Sequence, residues 1–160
     1  AALAIDRANK TVTTADGEVP YDKLLLATGS GSRHLTDLDE SGLPIAYLRD
    51  VGDSDRIREH LREGARIVLI GAGWIGLEVA SAARRAGADV TVFEMAELPL
   101  LKVLGPEVAH HFAAMHRANG VDLRLATSFS REDLKGADLV VVGIGAVPNV
   151  SLASEAGLDV

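Results

Sequence analysis

Cysteine is absent from the 160 residues. Disulfides, thiol nucleophiles and iron–sulfur ligation are therefore excluded within this chain. Aromatic residues are scarce, at 4%, so an apolar core has to be built from aliphatic side chains. Lysine and arginine form no cluster, and the formal net charge is −7. A nucleic-acid partner needs a basic face to neutralise phosphates, so none is expected. No apolar run reaches membrane-spanning length, which argues against a membrane role. The histidines suggest no metal centre. His110, His111 and His116 fall on one predicted helix, only His111 and His116 approach a shared face, and no carboxylate completes a ligand set. They are expected at solvated helix positions. No serine stands in a nucleophile-elbow pattern, and no catalytic residue is assigned. The composition reads as a cytoplasmic globular protein of single-domain size.

What is present is regular order. Asp16-Gly17 predicts a hairpin-type turn after Thr11–Thr14. Leu24–Ala27 is a short continuous apolar run, expected as a strand buried on both faces. Asp53–Glu63 reads as a helix with Ile57 and Leu61 on one face and Gly64 as its stop. Strands then follow at Ile67–Ile70, Val90–Glu94, Val121–Leu125 and Leu139–Gly143. Between them lie helices at Trp74–Ala86 and Pro106–Ala118, the second with Val108, Phe112 and Met115 expected on its inner face. Alternation of strand and helix implies an α/β fold with a parallel sheet.

The stretch "VLIGAGWIGLEVA" carries three glycines, Gly71, Gly73 and Gly76. A strand feeds this turn, a helix leaves it, and the next strand ends in an acid, Glu94, 18 residues after Gly76. Gly71 permits the tight turn, Gly73 leaves room for a pyrophosphate at the backbone, and Gly76 lets the helix lie close to the sheet. The helix start offers unpaired N–H groups and a positive dipole end. Glu94 is placed to accept hydrogen bonds from ribose hydroxyls. The turn from Gly71 through Ala72, Gly73, Trp74 and Ile75 to Gly76 is thus the expected dinucleotide contact. Trp74 reads either as a partly buried packing residue or as an aromatic lid over a planar ring. Glu78, one turn on, reads by spacing alone as a solvated helix acid.

Six segments, "YDKLLLATGS", "GAGWIGLEVA", "GADVTVFE", "PLLKVLGPEV", "NGVDLRL" and "ADLVVVGIGAVPNVSLA", occur in an order that resembles the pyridine nucleotide–disulfide oxidoreductase superfamily. "GWIGLEVA" with "LGPEV" and "GIGAVPN" resembles its FAD-dependent, NADH-using ferredoxin reductases. The resemblance implies a Rossmann-like NAD(H) domain over residues 43–143, flanked by a remnant of a first FAD segment, 1–42, and the start of a return to the FAD domain, 144–160. A piece excised around the NAD domain is expected, because the FAD fingerprint and the later Gly-Asp motif are missing. By position, Ala27, Thr28 and Gly29 with Arg33 would touch FAD. Trp74 would screen the flavin face, Glu78 would lie near the nicotinamide carboxamide, and Gly143, Ile144 and Gly145 would bring backbone close to the cofactor. The implied chemistry is hydride transfer from NADH to FAD, then single electrons to a [2Fe–2S] ferredoxin.

Two departures stand out. "ATSFSREDLKG" is too short for the three-stranded meander such relatives carry there. No arginine follows Glu94, where many relatives place one; Met95, Ala96, Glu97 and Leu98 follow instead. Other members of the superfamily, such as an NADH oxidase, a coenzyme A disulfide reductase or a nitrite reductase subunit, are alternatives. So are a non-catalytic dinucleotide-binding module and a domain without a ligand.

Overall fold

The computed structural model describes all of residues 1–160. The chain forms two compact units, one from residues 1–31 and 146–160, the other from residues 32–145. The first unit opens with β1 (Ala2–Asp6), β2 (Thr11–Thr14) and β3 (Gly17–Pro20), an antiparallel meander. Asp16-Gly17 makes the predicted turn: Thr14 pairs with Gly17, whose φ of +120° suits only glycine. Leu24–Ala27 is not a strand. The segment is irregular, and Leu25 is 87% exposed. A continuous apolar run becomes a buried strand only with neighbours on both edges and both faces, and no strand of this chain pairs with it. β4 (Ser30–Ser32) follows.

The second unit runs α1 (Thr36–Asp39), β5 (Ile45–Ala46), α2 (Val51–His60), β6 (Arg66–Ile70), α3 (Trp74–Arg85), β7 (Asp89–Phe93), α4 (Leu101–Ala118), β8 (Asp122–Arg124), a 3-10 turn at Glu132–Leu134, and β9 (Leu139–Val142). Its five strands are parallel, in the order β5-β9-β6-β7-β8. Alternation along each strand divides the core. Ile67, Leu69, Val92 and Val141 meet Leu77, Ala80 and Ala83 of α3 and Ala113 of α4. Val68, Ile70, Phe93, Val140 and Val142 meet Leu38 of α1 and Leu134. Leu38 therefore ties residues 32–42, read from the sequence with the first segment, to the core of the second unit. The short connection from β8 to β9 covers this second face without a meander. Leu134 is fully buried, and the Arg66 guanidinium holds the turn by donating to the carbonyls of Asp133 and Lys135.

Local chemistry explains the helices. α2 starts earlier than expected because Asp50 and Asp53 form a capping box across its first turn. α3 ends at Arg84 and Arg85, cations placed on the negative end of the helix dipole, with Gly87 left-handed beyond. α4 is broken at Gly105 (φ 73°, ψ 171°), so its long part begins at Pro106. Its inner face differs from the expected one. Ala109, Ala113 and His116 are buried and Phe112 packs part-buried against the core as expected, whereas Val108 and Met115 are exposed. Both rows have helical spacing; the alanines face the sheet because small side chains permit close approach. His116, 6% exposed, is the one histidine of α4 that is not solvated, and it shares no face with the exposed His111. Burial pushes its imidazole below the usual histidine range.

The chain then returns to the first unit through β10 (Ala146–Pro148), which pairs with β4, and α5 (Ser151–Glu155). The Arg7 guanidinium closes that unit by donating to the Gly157 carbonyl at 2.8 Å.

Candidate functional site

The C-terminal ends of β6, β7 and β9 bring the sequence-predicted residues of the second unit together. β6 ends at Ile70, and the Gly71 N–H donates to the Phe93 carbonyl at 2.8 Å. The three glycines are not equivalent. A Cβ on Gly71 would stand 2.5 Å from the Gly143 carbonyl oxygen, and the φ of +101° opposes any side chain. A Cβ on Gly76 would stand 2.0 Å from the Gly71 carbonyl oxygen. At Gly73 the nearest atom would be 4.0 Å away, and the backbone is ordinary extended chain (φ −78°, ψ −172°). Gly71 and Gly76 are thus required by the protein's own packing. Gly73 is not, and the space beside its Cα is open. The N–H groups of Gly73, Trp74, Ile75 and Gly76, the first positions of α3, find no acceptor in the protein. This is an open cradle for an anion at a positive helix end.

Ala72, between the first two glycines, is fully buried and held from both sides. Its N–H donates to Glu94 Oε2 at 2.7 Å, and its carbonyl accepts from the Leu100 N–H at 3.2 Å. The other Glu94 oxygen accepts from the Ala96 N–H at 2.8 Å. Glu94 is thereby a clamp on the turn, a role its spacing did not reveal. Leu100 pays for its place with a left-handed backbone (φ 55°) while 7% exposed, a strained conformation of the kind that clusters at functional sites. The neighbouring cations are committed elsewhere. Arg124 pairs with Asp122 and Asp133 and lies over the Phe93 ring. Arg84 straps the far end of α3 to the Asn119 and Ala88 carbonyls, about 15 Å along the helix from its start at Trp74.

Trp74 is 47% exposed and meets the ring of Phe112 edge-on. Ile75 and Glu78 are exposed on α3. Gly143 lies against the turn, its N–H donating to the Ile70 carbonyl at 2.8 Å, and Ile144 packs beside the second core cluster. The Gly145 carbonyl accepts from the Arg33 N–H at 3.0 Å. Ala27, Thr28 and Gly29 belong to the other unit. There the Thr28 hydroxyl donates to the Asn149 carbonyl at 2.6 Å and the Asn149 carboxamide to the Thr28 carbonyl at 2.9 Å. Asn149, which sequence reasoning left unassigned, locks this loop; the only signal was its place after Pro148.

Comparison with known proteins gives one consistent result. The model of the pyridine nucleotide-disulphide oxidoreductase family matches residues 1–160. The chain is 41% identical to the ferredoxin–NAD(+) reductase component of the anthranilate 1,2-dioxygenase system of Burkholderia cepacia, covering 98% of this chain and 42% of that one. It is 39% identical to a rubredoxin-NAD(+) reductase of Pseudomonas putida, covering 99% and 45%. The structure of the covalent putidaredoxin reductase–putidaredoxin complex superposes with a TM-score of 0.86 at 37% identity, over 99% of this chain and 43% of that one. The chain thus spans less than half the length of the relatives it matches.

Proposed function

We propose, from the premise that this chain belongs to the pyridine nucleotide-disulphide oxidoreductase family, that it is the NADH-binding part of a flavoprotein reductase. Electrons would pass in that protein from NADH through FAD to a [2Fe–2S] ferredoxin. The observation that carries the reading is the contrast at the turn: two glycines are packed against backbone, and the third opens onto four unpaired N–H groups.

In this reading the diphosphate of NADH lies over Gly73 and accepts from the start of α3. Each Glu94 oxygen holds one backbone N–H and keeps capacity for another donor. Ribose hydroxyls supply such donors; a 2′-phosphate supplies none and adds negative charge. The nicotinamide end runs toward Gly143, Ile144 and Gly145, with Glu78 near its carboxamide and Trp74 as a lid. The contribution of these residues to hydride transfer is position and exclusion of water. FAD, when bound, accepts the hydride and hands on single electrons. Within the first unit the Ala27–Gly29 loop offers such a group only a narrow edge, because the Thr28 hydroxyl and Asn149 carboxamide are already bonded to backbone. The chain therefore should not retain FAD by itself; stoichiometric flavin in the purified chain, seen by absorbance, contradicts this.

The test of the dinucleotide assignment is calorimetric titration with NADH and NADPH. Like charges about 4 Å apart repel by roughly 4 kcal/mol per unit pair at an effective dielectric of 20. A third of that is about tenfold in affinity, so NADH is expected to bind at least about tenfold tighter. Equal or tighter NADPH binding would overturn the role of Glu94 and direct attention to Lys102, just beyond Leu100. Absence of binding by the folded chain would overturn the assignment itself.

A further inference from the structure

Trp74 is half exposed, but its ring has a seat. The ring meets Phe112 of α4 with centroids 6.0 Å apart and planes at 90°, a favourable edge-to-face arrangement. Val108 and Met115, one turn either side of Phe112, are 44% and 40% exposed. α4 thus presents an apolar stripe, and the indole covers its middle. The next residue turns the other way: Ile75 Cγ2 lies 3.8 Å from where a Cβ on Gly143 would stand. The strand order places α4, the crossover from β7 to β8, and Gly143, at the end of β9, on opposite flanks of β6.

We propose that Phe112 is a positioning residue that seats the Trp74 ring clear of the Gly143 flank, so that a nicotinamide ring can enter there. The proposal rests on the reading above of Trp74 as a lid and of Gly143–Gly145 as the nicotinamide flank. A ring that leaves the seat loses the aromatic contact and uncovers the stripe, so the seat favours the open arrangement. Loss of an edge-to-face pair shifts the ratio of seated to unseated ring by about two- to tenfold. A ligand that binds only the open form weakens in proportion to the open fraction lost.

The chain has one tryptophan, so fluorescence excited selectively in the indole reports Trp74 alone. The experiment measures its anisotropy decay and the dissociation constants of NADH and of ADP-ribose, which lacks the nicotinamide. Phe112→Leu keeps apolar bulk and removes the ring; Phe112→Tyr keeps the ring. Circular dichroism confirms that each variant is folded. In Phe112→Leu the indole is expected to gain fast rotational freedom and the NADH constant to rise, by up to about tenfold, with ADP-ribose unchanged. Phe112→Tyr should restore both values. Unchanged indole motion in a folded Phe112→Leu protein would overturn the seat, whatever Trp74 does. A freed indole with an unchanged ratio of NADH to ADP-ribose affinity would instead overturn the lid reading. Equal weakening of both ligands would show that Phe112 acts through the turn rather than through Trp74, and would also overturn the proposal.

Discussion

Replacing each glycine of the turn by alanine, one at a time, separates packing from binding. In Gly76→Ala the new methyl group would stand 2.0 Å from the Gly71 carbonyl oxygen, so α3 must move off the sheet. Overpacking of this kind costs about 1–3 kcal/mol, sometimes more. In Gly71→Ala a 2.5 Å contact with the Gly143 carbonyl oxygen adds to a φ of +101°, for which backbone strain alone costs about 1–3 kcal/mol. Gly73→Ala meets nothing nearer than 4.0 Å in an extended backbone, and restricting the unfolded chain stabilises by about 0.4–1 kcal/mol. At about 2–4 °C per kcal/mol for a chain of this size, Gly76→Ala should lower Tm by roughly 2–12 °C. Gly73→Ala should leave it unchanged or raise it by a few degrees. Binding should show the reverse order of selectivity: Gly73→Ala, though stable, should lose roughly tenfold or more in NADH affinity, because the methyl group occupies the diphosphate's approach. Thermal melts by circular dichroism and calorimetric titration of the same samples decide it. A Gly73→Ala protein that melts early, or that binds NADH like the parent, would refute the distinction drawn between the glycines.

Acid should act through His116. Its folded-state affinity for a proton is lowered by burial, so the unfolded chain binds the proton more readily. The corresponding stability is present above the ordinary histidine range, near pH 6.5, and is lost as pH falls through the lower folded value. Between pH 7.5 and 5.5 the parent should lose more Tm than His116→Gln; equal losses would count against it. Glu94→Gln replaces a carboxylate that accepts from Ala72 and Ala96 by a group with one accepting oxygen. Leaving a backbone N–H unsatisfied costs about 1–3 kcal/mol, so Tm should fall while the preference for NADH over NADPH narrows. A rise in Tm with preference intact would remove Glu94 from both roles.

The parallel sheet was legible because its central strands are apolar on both faces and two of its helices are closed by Gly87 and Asn119-Gly120; α2 instead ends at His60, before the expected stop at Gly64. The glycine turn was legible for a related reason, since steric exclusion leaves a mark in composition. Leu24–Ala27 misled because periodicity reports what a segment could bury, not whether this chain supplies a partner. On α4 the row Val108–Phe112–Met115 outweighed Ala109–Ala113–His116 in hydrophobicity; closeness of packing, which favours small residues, is invisible to that measure. The clamp of Glu94 and Leu100 on Ala72, and that of Asn149 on Thr28, join residues distant in sequence through main-chain atoms, and main-chain atoms carry no residue code.

The hydrogen bond from the Arg33 N–H to the Gly145 carbonyl has a kinetic meaning. The second unit is one uninterrupted segment, whereas the first is cut in two by residues 32–145. Closing a flexible loop of that length costs on the order of 4 kcal/mol in chain entropy. Once the sheet has formed, its entry and exit strands are already latched together. Residues 1–31 and 146–160 then behave as neighbours joined by a short tether rather than as remote segments. Folding is therefore expected to be ordered: the inserted unit closes its own long-range strand pairs within one segment, and the divided one gains its low closure cost only afterwards.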